Sequence, residues 1–197
     1  EATNERCIPI VTDLHQDACM ASIEQVLQEH VENLDLLINN AGIISSLPDY
    51  TLDQVTTESI AELVNIHCLG AVRCVKACKP FLLRSDQPVV LNISSRLGSL
   101  QRIGEDYYGI DHLTYSYSIA KAAQNMFTVC MDRELTRNGV ATYAIHPGVF
   151  ESALNHGTFD WIAKDSAINL VSWLDKRDTN DPKTGRFLFP NHEEIPW

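Results

Sequence analysis

The stretch 34–42, Leu-Asp-Leu-Leu-Ile-Asn-Asn-Ala-Gly, decides how the rest of the chain is read. Five residues of short, mostly apolar run give way abruptly to asparagine, alanine and glycine. A run this brief, ended by turn-forming residues, predicts a strand over 34–38. The same form recurs at 7–11, 89–93, 141–145 and 186–189. Helical patterns fill the intervals. Ile23, Val26, Leu27 and Val31 mark one amphipathic helix, and a longer one is predicted over 57–82. A third begins near Tyr115 and stops at Asn138-Gly139, and a fourth covers 163–174. Strands alternating with helices predict an α/β fold with a parallel sheet and crossover helices. No repeat, low-complexity tract or linker divides the chain, so 1–197 reads as one domain.

Composition narrows the function. The 197 residues are 45% hydrophobic and 21% charged, as expected of a globular protein. With 26 acidic against 15 basic residues the formal charge is −11, which opposes nucleic acid and anionic membranes as partners. No apolar run reaches membrane-spanning length and the first residues lack a signal-peptide pattern. Six cysteines without a C-x-x-C pair or a disulfide framework point to a reducing, cytoplasmic setting. His67 lies near three of them, but the 67, 71, 74, 78 rhythm is that of a helix face rather than a zinc signature, so no metal is expected.

In open α/β sheets, ligands gather beyond the carboxyl ends of the strands. Asp13, Asn39 to Gly42, Ser94 with Ser95, and Pro147 with Gly148 all fall at such ends. The third predicted helix begins Tyr115-Ser-Tyr-Ser-Ile-Ala-Lys121. Residues four apart share a helix face, so Tyr117 and Lys121 are neighbours and Tyr115 has no such partner. An ammonium about 5 Å from a phenol, at an effective dielectric of about 20, lowers the phenol pKa by about two units. Taken alone, a Tyr-x-x-x-Lys pair is also an ordinary helix surface.

Four motifs together carry a resemblance: "NNAG" at 39–42, "NISS" at 92–95, "YSIAK" at 117–121 and "HPGVFES" at 146–152. In order and placement they resemble the short-chain dehydrogenase/reductase family, and the ending "GRFLFPNHEEIPW" is similar to its C-factor and carbonyl-reductase-like branch. The resemblance implies a Rossmann-type doubly wound sheet and an NADP- or NAD-dependent oxidoreductase that interconverts a small-molecule carbonyl and alcohol. It implies that Tyr117 exchanges the proton and that Lys121 lowers the tyrosine pKa and holds the nicotinamide ribose. Ser95 would hold the substrate oxygen, with Ser94 the nearest alternative. Asp13 would lie near adenine, although a turn or helix N-cap is an equal reading. Asn39 would stabilise the sheet. Ala41 and Gly42 would allow the adenosine ribose close, and Pro147, Gly148, Val149 and Ser152 would border the nicotinamide. A homo-oligomer is implied for the complete protein, with Ala71, Cys74 and Cys78 facing a partner subunit.

Three departures qualify this reading. His67, three residues before Gly70, stands where the family has an asparagine that holds a relay water; it is read as a functional substitution, beside the alternative of a buried structural histidine. Asn65, two positions away, does not share its face. Ser95 and Tyr117 are separated by more residues than is common in the family, which predicts an inserted surface loop; Tyr107 and Tyr108 within it are followed four residues later by Asp111 and His112, not lysine. Finally, no G-x-x-x-G-x-G precedes Asp13, so the chain reads as N-terminally truncated, with weakened folding and cofactor binding expected. A catalytically inactive interaction or signalling protein is therefore the rival reading. The substrate is not legible, but Phe150, Leu154, Phe159 and Trp161 suggest a partly apolar pocket. A sugar-nucleotide epimerase or dehydratase would share the Tyr-x-x-x-Lys chemistry, but too few residues follow Tyr117 for its larger substrate domain.

Overall fold

The computed structural model describes residues 7–109, 113–151, 161–177 and 184–197. Helix α1 (Cys19–His30) leads to strand β1 (Leu36–Asn39). Helix α2 (Thr57–Val64), a π-helical turn (Asn65–Leu69) and α3 (Gly70–Leu82) follow, then β2 (Val89–Ile93). A 3-10 turn (Arg96–Gly98) and the short α4 (Leu100–Gly104) precede the long α5 (Tyr115–Leu135) and β3 (Ala141–Ile145). The chain continues through β4 (Phe150–Glu151), β5 (Trp161–Ile162), α6 (Ala163–Lys176) and β6 (Arg186–Leu188). Strands β1, β2, β3 and β6 form one parallel sheet in that order, and β4 pairs with β5 separately.

The two faces of the sheet are sorted by the alternation of strand side chains. Val90 points into a layer with Val75, Cys78 and Leu82 of α3 and Met131 and Leu135 of α5, against which Ile23 and Leu27 of α1 pack. Val89 and Leu91 point the opposite way, with Tyr143, Ile145 and Leu188, to meet Trp173 of α6. Helices on both faces explain why 89–91 reads as an unbroken apolar run: each of those residues is buried, whichever face it joins.

Several boundaries differ from the sequence reading. Residues 7–11 form no strand: no described strand runs beside them to supply ladder hydrogen bonds, and Val11 is 98% exposed. Strand β1 starts two residues later than expected and runs through Asn39. The 57–82 helix is continuous but passes through the π turn at 65–69, which rotates His67 relative to α2 and α3. The segment after Ser95 is not a plain loop, because Ser95 Oγ accepts from Leu97 N at 3.2 Å and Ser99 Oγ from Arg102 N at 3.2 Å, starting two short helical turns. Gly139, at φ 81°, ends the α5 region in the left-handed conformation that glycine adopts without penalty.

Candidate active site

The start of α5 sets the position of Tyr117. Asp49, 2% exposed, accepts from Ser116 N at 2.7 Å and from the Ser116 hydroxyl, and its backbone carbonyl takes Tyr115 N at 3.1 Å. A carboxylate on the first-turn N–H groups satisfies donors that the helix itself leaves open. Thr114, the residue at the N-cap, makes no such bond. Nothing local in the sequence marks Asp49 for this work, because it acts across 67 residues.

One turn on, Lys121 is 4% exposed and donates from Nζ to Ile93 O at 2.7 Å and Gln124 Oε1 at 3.0 Å. Burial drives its pKa down to about 7. Its Nζ lies 5.7 Å from the Tyr117 ring centroid. The phenol is pushed up by its own burial, and a side-chain hydrogen bond with Ser95 draws it back only in part. The lowering expected from lysine is not what sets this phenol: removing the phenolate from water costs more than the Ser95 hydrogen bond returns.

Ser94 and Ser95 part company at the end of β2. Ser94 Oγ donates to Asn125 Oδ1 at 2.6 Å, and Asn125 Nδ2 donates to Gly98 O at 3.1 Å. Ser94 is therefore committed to holding the 3-10 turn against α5, while Ser95, whose Oγ accepts from Leu97 N at 3.2 Å, lies near enough to the phenol to lower its pKa. The sheet end is tied to the same helix by Asn39 Nδ2 to Asn92 Oδ1 at 2.8 Å and Asn92 Nδ2 to Thr128 Oγ1 at 2.8 Å. Asn39 sits where the resemblance put it; Asn92, Gln124 and Asn125 were not singled out as site-supporting residues. Their signal was present, since polar residues in a buried strand or on a buried helix face must find partners.

His67, 2% exposed, projects from the π turn onto the strand-end loop. Its Nε2 is 2.7 Å from Ile43 O, a contact that requires Nε2 to carry the proton, and Nδ1 is then a buried acceptor with no partner among the described residues. Burial, then the charge of Lys121, lowers its pKa to about 4, so the ring is neutral. It stands edge-on to Tyr117, with centroids 5.4 Å apart. Asn65 is occupied elsewhere, accepting from Arg73 Nη1 at 2.8 Å and donating to His15 O at 3.3 Å. A Cβ at Gly42 would come within 2.5 Å of His67 Cε1, so the glycine makes room for this ring, a different reason from the ribose approach expected of it.

Of the other expected binding residues, Asn39 and Ala41 line a cavity of about 90 Å³ beside His67, and Pro147, Gly148 and Val149 line one of about 260 Å³. Gly148 has φ 94°. Asp13 is a turn residue: its Oδ1 accepts from His15 N and contacts His15 Nδ1, both at 3.0 Å. The His15 backbone bond, first, lowers its pKa. Ser152, Leu154, Phe159, Asp111 and His112 lie outside the described residues, as do the side chains of Phe150 and Trp161. Tyr107 and Tyr108 are stacked edge-on with each other, 5.2 Å apart, under Arg102 and Arg96 respectively.

A family model described as short chain dehydrogenase matches residues 1–163. The chain belongs to the short-chain dehydrogenase family. These are oxidoreductase enzymes that use NADP or NAD. Among relatives of this short-chain dehydrogenase, the C-signal protein of Myxococcus xanthus is 30% identical over 164 residues, 83% of this chain and 93% of that protein. A 1-hydroxy-2-glutathionyl-2-methyl-3-butene dehydrogenase of a Rhodococcus strain is 27% identical, with 94% of this chain and 78% of that protein covered. Two uncharacterised oxidoreductases of Staphylococcus epidermidis are each matched over about half of their length, 51%. The fold is that of the NADPH-bound carbonyl reductase from chicken fatty liver, at TM-score 0.84 and 24% identity over 96% of this chain and 77% of that one. The carbonyl reductase Sniffer of D. melanogaster superposes at TM-score 0.79 with 22% identity over 94% of this chain and 76% of that one.

The groups present suit the nicotinamide half of such a cofactor. Two of the three Lys121 ammonium donors are used internally, leaving one for a ribose hydroxyl. The turned backbone at Gly148 borders the larger cavity.

Proposed function

We propose that this short-chain dehydrogenase reduces a small-molecule ketone or aldehyde to an alcohol, and runs the reverse oxidation, with Ser95, Tyr117, Lys121 and His67 as its working residues. The observation that carries the reading is the meeting of Ser95, Tyr117 and Lys121 at the end of β2, with both α5 groups on one turn of a helix fixed at its N-terminus by Asp49. NADPH or NADH, when bound, supplies hydride to the carbonyl carbon. The Ser95 hydroxyl holds the carbonyl oxygen beside the phenol. Tyr117 donates its proton to that oxygen; its raised pKa keeps it protonated and suits it to the acid role in reduction. Lys121, buried behind the phenol, holds the ribose. Neutral His67 offers Nδ1 as the acceptor that fixes a relay water, the work of the family's asparagine.

The same reading places Asn39 as the sheet clamp, Asp13, Ala41 and Gly42 on the adenosine side, and Pro147, Gly148, Val149 and Ser152 around the nicotinamide. Six free cysteines fit a cytoplasmic setting. Homo-oligomerisation would use exposed Ile119 and Met126 on α5; Ala71 and Cys78 are buried within the chain instead, Cys78 in the layer under α1. Light scattering that shows only monomer would remove this association. The central test is Tyr117→Phe: carbonyl-dependent NADPH oxidation should fall at least about a hundredfold while nucleotide affinity stays within a few fold. Near-normal turnover would remove Tyr117 from the mechanism.

A further inference from the structure

The larger cavity, about 260 Å³, lies at the ends of β2, β3 and β6 and is walled by Arg96, His146, Val149, Asn169, Phe189 and Pro190. Valine, phenylalanine and proline make much of this wall apolar, and no aspartate or glutamate is among the described residues lining it. Arg96 is the exception to its character. Its guanidinium carbon lies 4.8 Å from the Tyr108 ring centroid, and among the described residues the group makes no hydrogen bond or ion pair. Arg73, Arg84 and Arg186 find oxygen partners, Asp17 at 2.6 Å, Glu32 O at 2.8 Å and Glu194 at 3.1 Å, whereas among the described residues Arg96 is met only by a ring, as Arg102 is by Tyr107. Both are half-buried, and what sets Arg96 apart from Arg102 is its place: it lines the cavity.

The neighbouring histidine supplies a second observation. His146 is 5% exposed, its Nδ1 is buried without a partner, and it lines the same cavity. Burial first, and then the charges of Arg96 and Lys121, push its pKa down to about 3. A neutral imidazole therefore sits beside the Arg96 charge, and no carboxylate faces it among the described residues lining the cavity.

We infer that, on the reading of the protein as a carbonyl reductase, the substrate carries a carboxylate near its carbonyl and that Arg96 binds this carboxylate in the larger cavity. Arg96 directly follows Ser95 at the carboxyl end of β2, so the same strand end carries both the hydroxyl proposed to hold the carbonyl and the guanidinium. The planar fork of that group matches a carboxylate with two parallel hydrogen bonds. Phe189, Pro190 and Val149 take the carbon skeleton. The carboxylate is a spectator: hydride and proton add across the carbonyl alone.

The test is a calorimetric titration of the NADP-loaded intact protein with phenylglyoxylate and with its methyl ester, which keeps the ring and the ketone but loses the charge. The acid should bind at least about tenfold more tightly than the ester, and its affinity should fall as salt is raised. Arg96→Leu should remove that preference, Arg96→Lys should restore part of it, and NADP affinity should stay unchanged in both. Equal binding of acid and ester, absence of acid binding, or an Arg96 effect on NADP rather than on the acid overturns the inference. The acid–ester comparison needs no variant, so a misfolded substitution does not decide the outcome. Tight acid binding without turnover would count against the reductase reading while leaving the carboxylate site in place; turnover restricted to neutral ketones would do the reverse.

Discussion

Gly98→Ala tests whether the site depends on close packing between the turn after β2 and helix α5. Gly98 does not have a positive φ, so alanine meets no backbone penalty there and any effect is a packing effect. The added Cβ would lie 2.8 Å from the Lys121 carbonyl carbon, 2.9 Å from Asn125 Nδ2 and 3.0 Å from Lys121 Cβ. Carbon atoms pack best at about 3.5–4.0 Å, so the turn and the helix must part by more than half an ångström. Two of the three atoms belong to Lys121 and the nearest is its backbone, so rotating a side chain gives no relief. Overpacking of this kind costs about 1–3 kcal/mol. For a chain of this size about 2 kcal/mol lowers Tm by about 4–8 °C. The separation also strains Asn125 Nδ2 to Gly98 O, and with it the clamp on Ser94. A shift approaching 1 Å between Ser95 and Tyr117 can lower turnover by about a hundredfold. Thermal unfolding and NADPH-coupled carbonyl reduction, measured on the same preparation, read both effects. Wild-type Tm together with wild-type turnover would refute the packing argument; a lower Tm with normal turnover would confine Gly98 to stability.

Asp49→Ala should cost about 1–2 kcal/mol by leaving the first-turn donors of α5 open, with KM and kcat both impaired; unchanged denaturant unfolding would contradict the capping role. Lys121 supplies a pH signature. Its folded pKa of about 7 lies below the 10.5 of a free lysine, so the unfolded chain binds the extra proton between those values and folded stability rises with pH across that window. Relative to Lys121→Met, the wild type should gain stability between about pH 7 and 10.5 and show no such trend below pH 6; a pH-independent difference would show that the lysine stays charged when buried. For His67, replacement by Asn should retain substantial activity and replacement by Ala should lose much more, since only the former keeps an acceptor in place of Nδ1; equal activity of both would reduce His67 to packing.

The sequence by itself determined the elements whose signal is local. Strands at 89–93 and 141–145 were legible to the residue because helices cover both faces and most positions favour apolar side chains. The pairing of Tyr117 with Lys121 was legible because a four-residue spacing is a geometric statement about any helix. The run at 7–11 has the same composition as a strand yet forms none, since ladder hydrogen bonds belong to two strands and composition reports on one. Only the tertiary structure distinguishes the partners of adjacent Ser94 and Ser95, because Ser94 is tied to Asn125, 31 residues beyond it. Only it gave the protonation states: Lys121 near 7, His67 neutral and Tyr117 raised. Spacing fixes which charges can be neighbours, but burial sets the cost of charging a group, and burial is decided by segments far apart in the chain meeting around it.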